Sequence, residues 1–496
     1  MALSLVSFVS CSLDKDPLSE YSEVNYGSTS EDSLKYSTRS EMYSQYQALY
    51  QLLKDRQEHW YMDYLLITET HSDNSYAGST GAEIVPMENN AIDGSNSCLY
   101  RDWERYLADV AQANIVINYI DDVPDETLTE TERTQWKAEA KIFRAMIWFD
   151  MVRIWGNIPI VTEVGEDITS ENIEEVYSTY YPSQSTVEET YAQIIQDLTD
   201  ALSDAPDNNQ SDKTVLSKSV AKALLAKVYA EEPVRDYEKV LTYCNDVIDD
   251  GFSLVSDYKD LFGMNDAGTD ARARSTTESI LEINYSTGGT NWVTWMFGRD
   301  LLNWDSNFTW AKWITPSRDL ISEYEAEGDS IRLNESIVYY SCTWSNYYPS
   351  SEYPFMYKCR SGASSIIKLR LADIILLKAE ALANLGGSAN LAAAATLVNS
   401  IRNRVDLPDL TSSASSSQEN MLAAVLHERR LELAFEGQRW FDLIRYGEME
   451  TVMNSLNDRD SGRLSLKRAY TENSELLPIP QSSIDLNTNL VQNPGY

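Results

Sequence analysis

Six of the twelve tryptophans, Trp292, Trp295, Trp304, Trp310, Trp313 and Trp344, fall within residues 251–362. An indole presents a broad apolar face and one polar N–H, which suits a half-wet contact surface. Sugar rings offer C–H faces that stack on such planes, while Asn, Asp and Arg side chains bind the hydroxyls. A shallow, aromatic-rich site is therefore adequate for a neutral oligomer. Any one of these tryptophans taken alone reads more readily as core. Trp292 and Trp295 stand three apart, so a helical turn puts them on one face.

Catalytic constellations are absent from the pattern. The three histidines are His59, His71 and His427. The run His427-Glu428-Arg429-Arg430-Leu431 lacks the second histidine of a zinc-protease helix. No nucleophile elbow, phosphate loop or dinucleotide fingerprint occurs. Residues 458–462 resemble a calcium loop only faintly, with the glycine one position early and no glutamate at the required place. Five cysteines (Cys11, Cys98, Cys244, Cys342, Cys359) show no Cys-x-x-Cys spacing, which argues against zinc. Cys342 and Cys359 are candidates for pairing in an oxidising compartment, with a non-disulfide role an equal reading. The sequence predicts a non-enzyme with no cofactor and no metal.

Charge narrows the partners. The 40 basic and 77 acidic residues leave a net charge of -37, a field that repels phosphate backbones and anionic lipid headgroups. Nucleic acid is excluded on that ground; a neutral ligand is not. Beyond the first ten positions no run of about 18 apolar residues occurs, so no membrane-spanning helix is expected. The short apolar run at 2–9 ends in Phe8-Val9-Ser10-Cys11. A small residue before a cysteine, after an apolar run, resembles a bacterial lipobox. Residues 1–11 therefore read as a lipoprotein signal segment, truncated at its start, with Cys11 the lipidated residue. Several acyl chains on one cysteine anchor a protein far better than one.

The elements that must position these residues are mostly helices. Ala140, Phe143, Ile147, Met151 and Ile154 recur at steps of three and four, and Gly156 with Pro159 should end that helix. Similar patterns run over 39–66, 100–122, 186–204, 217–231, 236–250, 366–385, 390–404 and 418–446. In 371–404, Ala372, Ala379 and Ala383 permit close helix approach and Gly386-Gly387 makes the turn. The length is close to the tetratricopeptide (TPR) period of about 34 residues. Over 251–362 the helical period fades; 280–285 reads as a strand, and so long an irregular stretch usually has a function. The Ser-rich run 411–417 reads as a plain loop. The fold class is all-α: TPR-like helix-turn-helix pairs, stacked because each pair buries its apolar face only against a neighbour, with an irregular region packed on them.

Several segments carry a family resemblance. They are Arg370-Leu-Ala-Asp-Ile-Ile-Leu-Leu-Lys-Ala-Glu380, then Glu428-Arg-Arg-Leu-Glu-Leu-Ala-Phe-Glu-Gly-Gln-Arg-Trp-Phe-Asp-Leu-Ile-Arg445, and the closing Leu477-Pro-Ile-Pro480 with Asn493-Pro-Gly-Tyr496. Earlier pieces agree in order: Cys11 with Leu13-Asp14 and Pro17, Gln112-Ala-Asn114, Arg144-Ala145, Trp155-Gly156-Asn-Ile-Pro159, Pro316-Ser317, Asp319-Leu320 and Asp329-x-x-Arg332. Together they resemble the SusD/RagB family of outer-membrane nutrient-binding lipoproteins. Most of these motif residues read as structural: Leu431, Ala434, Phe435, Trp440 and Phe441 as a packed face. Arg429 with Glu432, and Glu436 with Arg439, read as pairs along the helix.

The resemblance implies a TPR scaffold divided as 12–250 and 251–496. It also implies cell-surface, lipid-anchored placement on a Bacteroidetes-type outer membrane, with Asp14 and Asp16 as export signals. It further implies a SusC-like TonB-dependent transporter as partner, and ligand contacts in loops after the first long helix and in the later irregular region. By that analogy the expected glycan-binding residues are Asp73, Asn74 and Tyr76, with Trp292, Trp295, Trp304 and Trp310. Peptide capture on the same scaffold, a protein-binding TPR adaptor and an all-α glycoside hydrolase are the alternatives.

Overall fold

The computed structural model describes residues 34–78, 81–166, 168–169, 172–286, 291–296, 313–342 and 347–496. The first helix, α1 (Arg39–Asp55), starts at a capping box in which Thr38 and Glu41 satisfy each other's backbone N–H groups. The expected continuation to residue 66 is instead a series of wider helical turns, Glu58–Met62 and Leu66–Thr70. These lead into the short strand β1 (Ser75–Ala77).

Two long helices follow, α2 (Ser97–Tyr119) and α3 (Glu130–Trp155). From Ala138 onward α3 is buried almost all round except at Lys141, as a helix packed on several sides must be. It ends as the spacing predicts, with Gly156 at φ 71°. Polar residues inside it are paired. Arg144 donates to Asp197 from Nε and Nη2, both at 2.8 Å, and to Asn114 Oδ1 at 2.7 Å. Since Asp197 lies on α4 (Val187–Ala201), one guanidinium ties three helices together. Helices α5 (Lys218–Val228) and α6 (Tyr237–Asp249) continue the stack.

The clearest helical hairpin is α7 (Leu371–Leu385) and α8 (Ser388–Arg404). Ala372, Ala379 and Ala383 are fully buried, and α7 packs against α6, α8 and the helix Gln418–Leu433. Two expectations need correction here. Residues 366–370 form a strand, not the start of α7. The helix expected over 418–446 breaks after Leu433 and resumes at Arg439–Arg445, because Phe435 and Gly437 adopt φ of 63° and 77°, which no right-handed helix contains.

Among the described residues, three two-stranded antiparallel ladders brace the helices. One pairs β1 with Ile314–Pro316, a second pairs Ser279–Ile283 with Ile366–Arg370, and a third pairs Ile337–Tyr340 with Tyr353–Met356. The architecture is thus the expected helical, TPR-like scaffold with small strands laid on it. Cys342 and Cys359 are both buried, and no disulfide joins them. Cys11 lies outside the described residues.

The C-terminal motif charges also pair differently from the expectation. Arg429 binds Asp373 at 2.8 Å and Asp442 at 2.9 Å. Glu432 accepts from Arg332 at 3.1 Å, from Arg370 at 2.5 Å and from Arg404. Glu436 takes Lys358 and Arg370, each at 2.6 Å. Every one of these partners comes from another element, so the charges join elements and do not line one helix.

Candidate functional site

The first expected segment turns inward. Asp73, Asn74 and Tyr76 are all buried. Asp73 accepts from Arg439 Nε and Nη2, both at 2.8 Å, and Arg430 Nη2 stands 3.1 Å from it. Burial pushes this carboxyl up, but Arg430 and Arg439 outweigh it and hold it far below the ordinary range. Asn74 donates to Glu69 Oε2 at 2.8 Å and accepts from Arg430 Nε at 3.0 Å. The Tyr76 ring stacks on Tyr347 at 4.5 Å, and its hydroxyl donates to Asp460. The same Asp460 accepts from Gly462 N–H at 3.0 Å, so the faint calcium-loop run is occupied by the fold's own contacts. These three residues hold the N-terminal segment to the C-terminal third. With no exposed surface, they are withdrawn as ligand contacts.

Trp292 has the opposite disposition. It is 45% exposed while its neighbours Asn291, Val293 and Thr294 are buried. Asn291 Nδ2 donates to Ser364 O at 2.6 Å and Asn291 N to Gly362 O at 3.2 Å. Thr294 Oγ1 donates to Ser361 O at 3.0 Å. The Trp292 backbone N–H donates to Gln57 Oε1 at 2.7 Å. The backbone is thus pinned on both sides of one outward-facing indole. A platform fixed before binding loses little freedom when it stacks on a ligand. Trp295 sits in the single helical turn Val293–Met296; its side chain, and all of Trp304, Trp310 and Trp344, lie outside the described residues.

A groove of ≈ 390 Å³ runs beside the same end of α1, lined by Tyr46, Gln47, Tyr50, Lys54, Thr214 and Asn284 among others. Its floor is fixed. Tyr46 and Tyr50 lie four apart on α1, and both hydroxyls donate to Glu139 on α3. Tyr285 holds the Lys54 backbone, donating to Lys54 O at 2.7 Å. Amide, hydroxyl and ammonium groups over tyrosine rings form a surface able to meet hydroxyl-rich ligands. The sequence did not single out these groove residues, because a tyrosine stripe at helical spacing looks the same whether it faces core or cleft. Among the described residues, no group of three or more His, Cys, Asp or Glu side chains could hold a metal ion.

A model described as "SusD family" matches residues 315–496, and one described as "Starch-binding associating with outer membrane" matches residues 21–230. SusD-like protein P38 of Formosa agariphila is 24% identical, over 94% of this chain and 93% of its own. Among solved structures, a laminarin binding SusD-like protein superposes with a TM-score of 0.70 at 24% identity, covering 93% of this chain and 100% of that one. Surface glycan-binding protein A from Bacteroides thetaiotaomicron, in complex with laminarihexaose, gives a TM-score of 0.71 at 19% identity over 92% and 100%. With its N-terminal and C-terminal parts both matched and the helical scaffold in common, the chain belongs to the SusD/RagB family.

Proposed function

We propose that this protein is a cell-surface lipoprotein, anchored through Cys11, that captures an oligo- or polysaccharide and delivers it to a SusC-like TonB-dependent transporter. The observation that carries the reading is Trp292, exposed on a backbone clamped by buried neighbours. The groove beside α1 offers further tyrosine, amide and hydroxyl groups. The names of its relatives support a glycan: starch for the N-terminal family model, laminarin and laminarihexaose for two structural neighbours. The same family description supports association with the outer membrane. The role assigned to the protein is binding and hand-over, not bond cleavage.

The test is retardation of the protein in native gels cast with a panel of polysaccharides, starch and laminarin first. Retardation by one class is expected, and Trp292→Ala should abolish it. Because the indole is 45% exposed, that substitution should cost about 0.5–3 kcal/mol and leave the chain folded. Migration unaffected by every glycan would overturn the reading and bring oligopeptides to the front. Retardation that survives in Trp292→Ala would leave capture standing and remove the site.

A further inference from the structure

Directly behind the Trp292 turn lies a slot of ≈ 90 Å³ that the glycan surface does not use. Val293 forms part of its wall, so adjacent residues face opposite ways: Trp292 to solvent, Val293 to the slot. The remaining walls are mainly apolar, with Trp60, Tyr64, Phe149, Leu224 and Phe435. Four cations also line it, Arg153, Lys227, Lys358 and Lys368, against two carboxylates, Asp150 and Glu436.

Two of the cations are fully engaged. Lys358 donates to Glu436 at 2.6 Å and to Glu432 O at 2.9 Å. Lys227 donates to Asp373 at 2.5 Å and to Gln438 Oε1 at 2.7 Å. The other two share one carboxylate: Arg153 Nη2 reaches Asp150 at 2.6 Å, and Lys368 Nζ reaches it only at 3.3 Å. Glu231 stands 4.0 Å from Arg153 Nη1, beyond hydrogen-bond length, and does not line the slot. Lys368 otherwise lies over the faces of Tyr64, at 4.3 Å, and Trp60, at 5.5 Å. Among the described residues, that leaves an ammonium with three donors and one long hydrogen bond. A half-enclosed cation without its full set of acceptors is costly, and a second carboxylate beside Asp150 would balance the pair. Since about 10–15 Å³ of such space suffices for one water, the slot has room for several, enough for a short aliphatic acid.

We propose that the slot is a second binding site, for a short aliphatic carboxylate whose chain lies against Trp60, Tyr64 and Leu224 and whose carboxylate accepts from Lys368. This proposal stands apart from glycan capture. Apolar walls on most sides disfavour a strongly hydrated dianion, so inorganic phosphate should not substitute. A ligand of so few atoms has a low ceiling of affinity, and binding in the millimolar range or somewhat tighter is expected.

The experiment is calorimetric titration of the full chain with butyrate, with butyramide as the uncharged isostere and inorganic phosphate as a third arm. Saturable one-to-one binding of butyrate alone is the expected result. Lys368→Met keeps the aliphatic stem and should weaken it at least tenfold. Leu224→Phe keeps every charge while narrowing the slot and should weaken it similarly, so the test survives if one variant fails to fold. No saturable heat with butyrate, equal binding of butyramide or phosphate, or undiminished binding in both folded variants would overturn the proposal.

Discussion

Asp73 and Arg439 form a bidentate ion pair, two 2.8 Å hydrogen bonds between residues 366 positions apart. The pair lies in the interior, with Arg430 as a second cation on the same carboxylate. It joins the segment after the first helix to the helix that closes the C-terminal motif. Removing one partner of such a pair leaves the other charge buried and uncompensated.

Asp73→Ala should therefore lower stability by about 3–5 kcal/mol, read as a shift of the urea midpoint. Molecules that remain folded at low urea should keep the glycan retardation of the native chain. A stable variant that has lost retardation would instead restore Asp73 to the ligand site.

Asn291 gives the complementary case. Its side-chain amide donates to Ser364 O and accepts from Val293 N at 3.1 Å, which fixes the turn that carries Trp292. Asn291→Ala should cost about 1–3 kcal/mol for the carbonyl left without its donor. Its affinity for the captured glycan should fall about tenfold, with the loss appearing as faster dissociation. Unchanged affinity would show that the indole needs no clamped backbone.

Glu69 sets a pH dependence. It is buried, and although Asn74 and the Phe435 and Gly437 N–H groups lower it, burial wins and the carboxyl is pushed up from 4.5 to about 7. The folded state thus holds this proton more tightly than the unfolded chain. Stability contributed by the site is greatest below pH 4.5, declines as pH rises towards 7, and is fully lost above it. The span is of order 3 kcal/mol. Glu69→Gln cannot ionise, so the stability of the native chain minus that of the variant should fall over this window. A difference that stays flat from pH 4.5 to 7 would show that Glu69 is charged throughout.

The helical scaffold was legible because its signals are local. Ala372, Ala379 and Ala383, three fully buried positions, mark a close-packed face by spacing alone. The burial of Asp73 was not legible: it depends on Arg439, and nothing within a helix turn of either residue announces the other. The same holds for Arg429 and Glu432, whose three-residue spacing suggested a local pair. Asp373, Asp442, Arg332, Arg370 and Arg404 arrive from elsewhere and take both. Trp292 was legible by residue type and neighbourhood, but its clamp by Gln57, Ser361, Gly362 and Ser364 was not. Tyr46 and Tyr50 remained hidden, since their helical stripe is compatible with either core or cleft.

Gly437 lies where the expected single helix breaks, and two glycines separate the reasons for such a residue. Both Gly437 and Gly386 have positive φ, 77° and 70°. A Cβ on Gly386 would meet nothing within 4 Å, so Gly386→Ala should cost only the penalty of its backbone, φ 70° with ψ −173°, about 1–3 kcal/mol. A Cβ on Gly437 would be driven into the Tyr64 ring. It would also disturb the N–H that donates to Glu69 at 2.9 Å. Tyr64 is buried beside Phe441 and can yield only toward the slot that it lines. Gly437→Ala should thus add overpacking of about 1–3 kcal/mol to its own backbone penalty. Chemical denaturation of the two variants side by side measures the difference. Equal losses would mean that the Tyr64 ring yields at no cost, and that φ alone explains why the helix stops and restarts there.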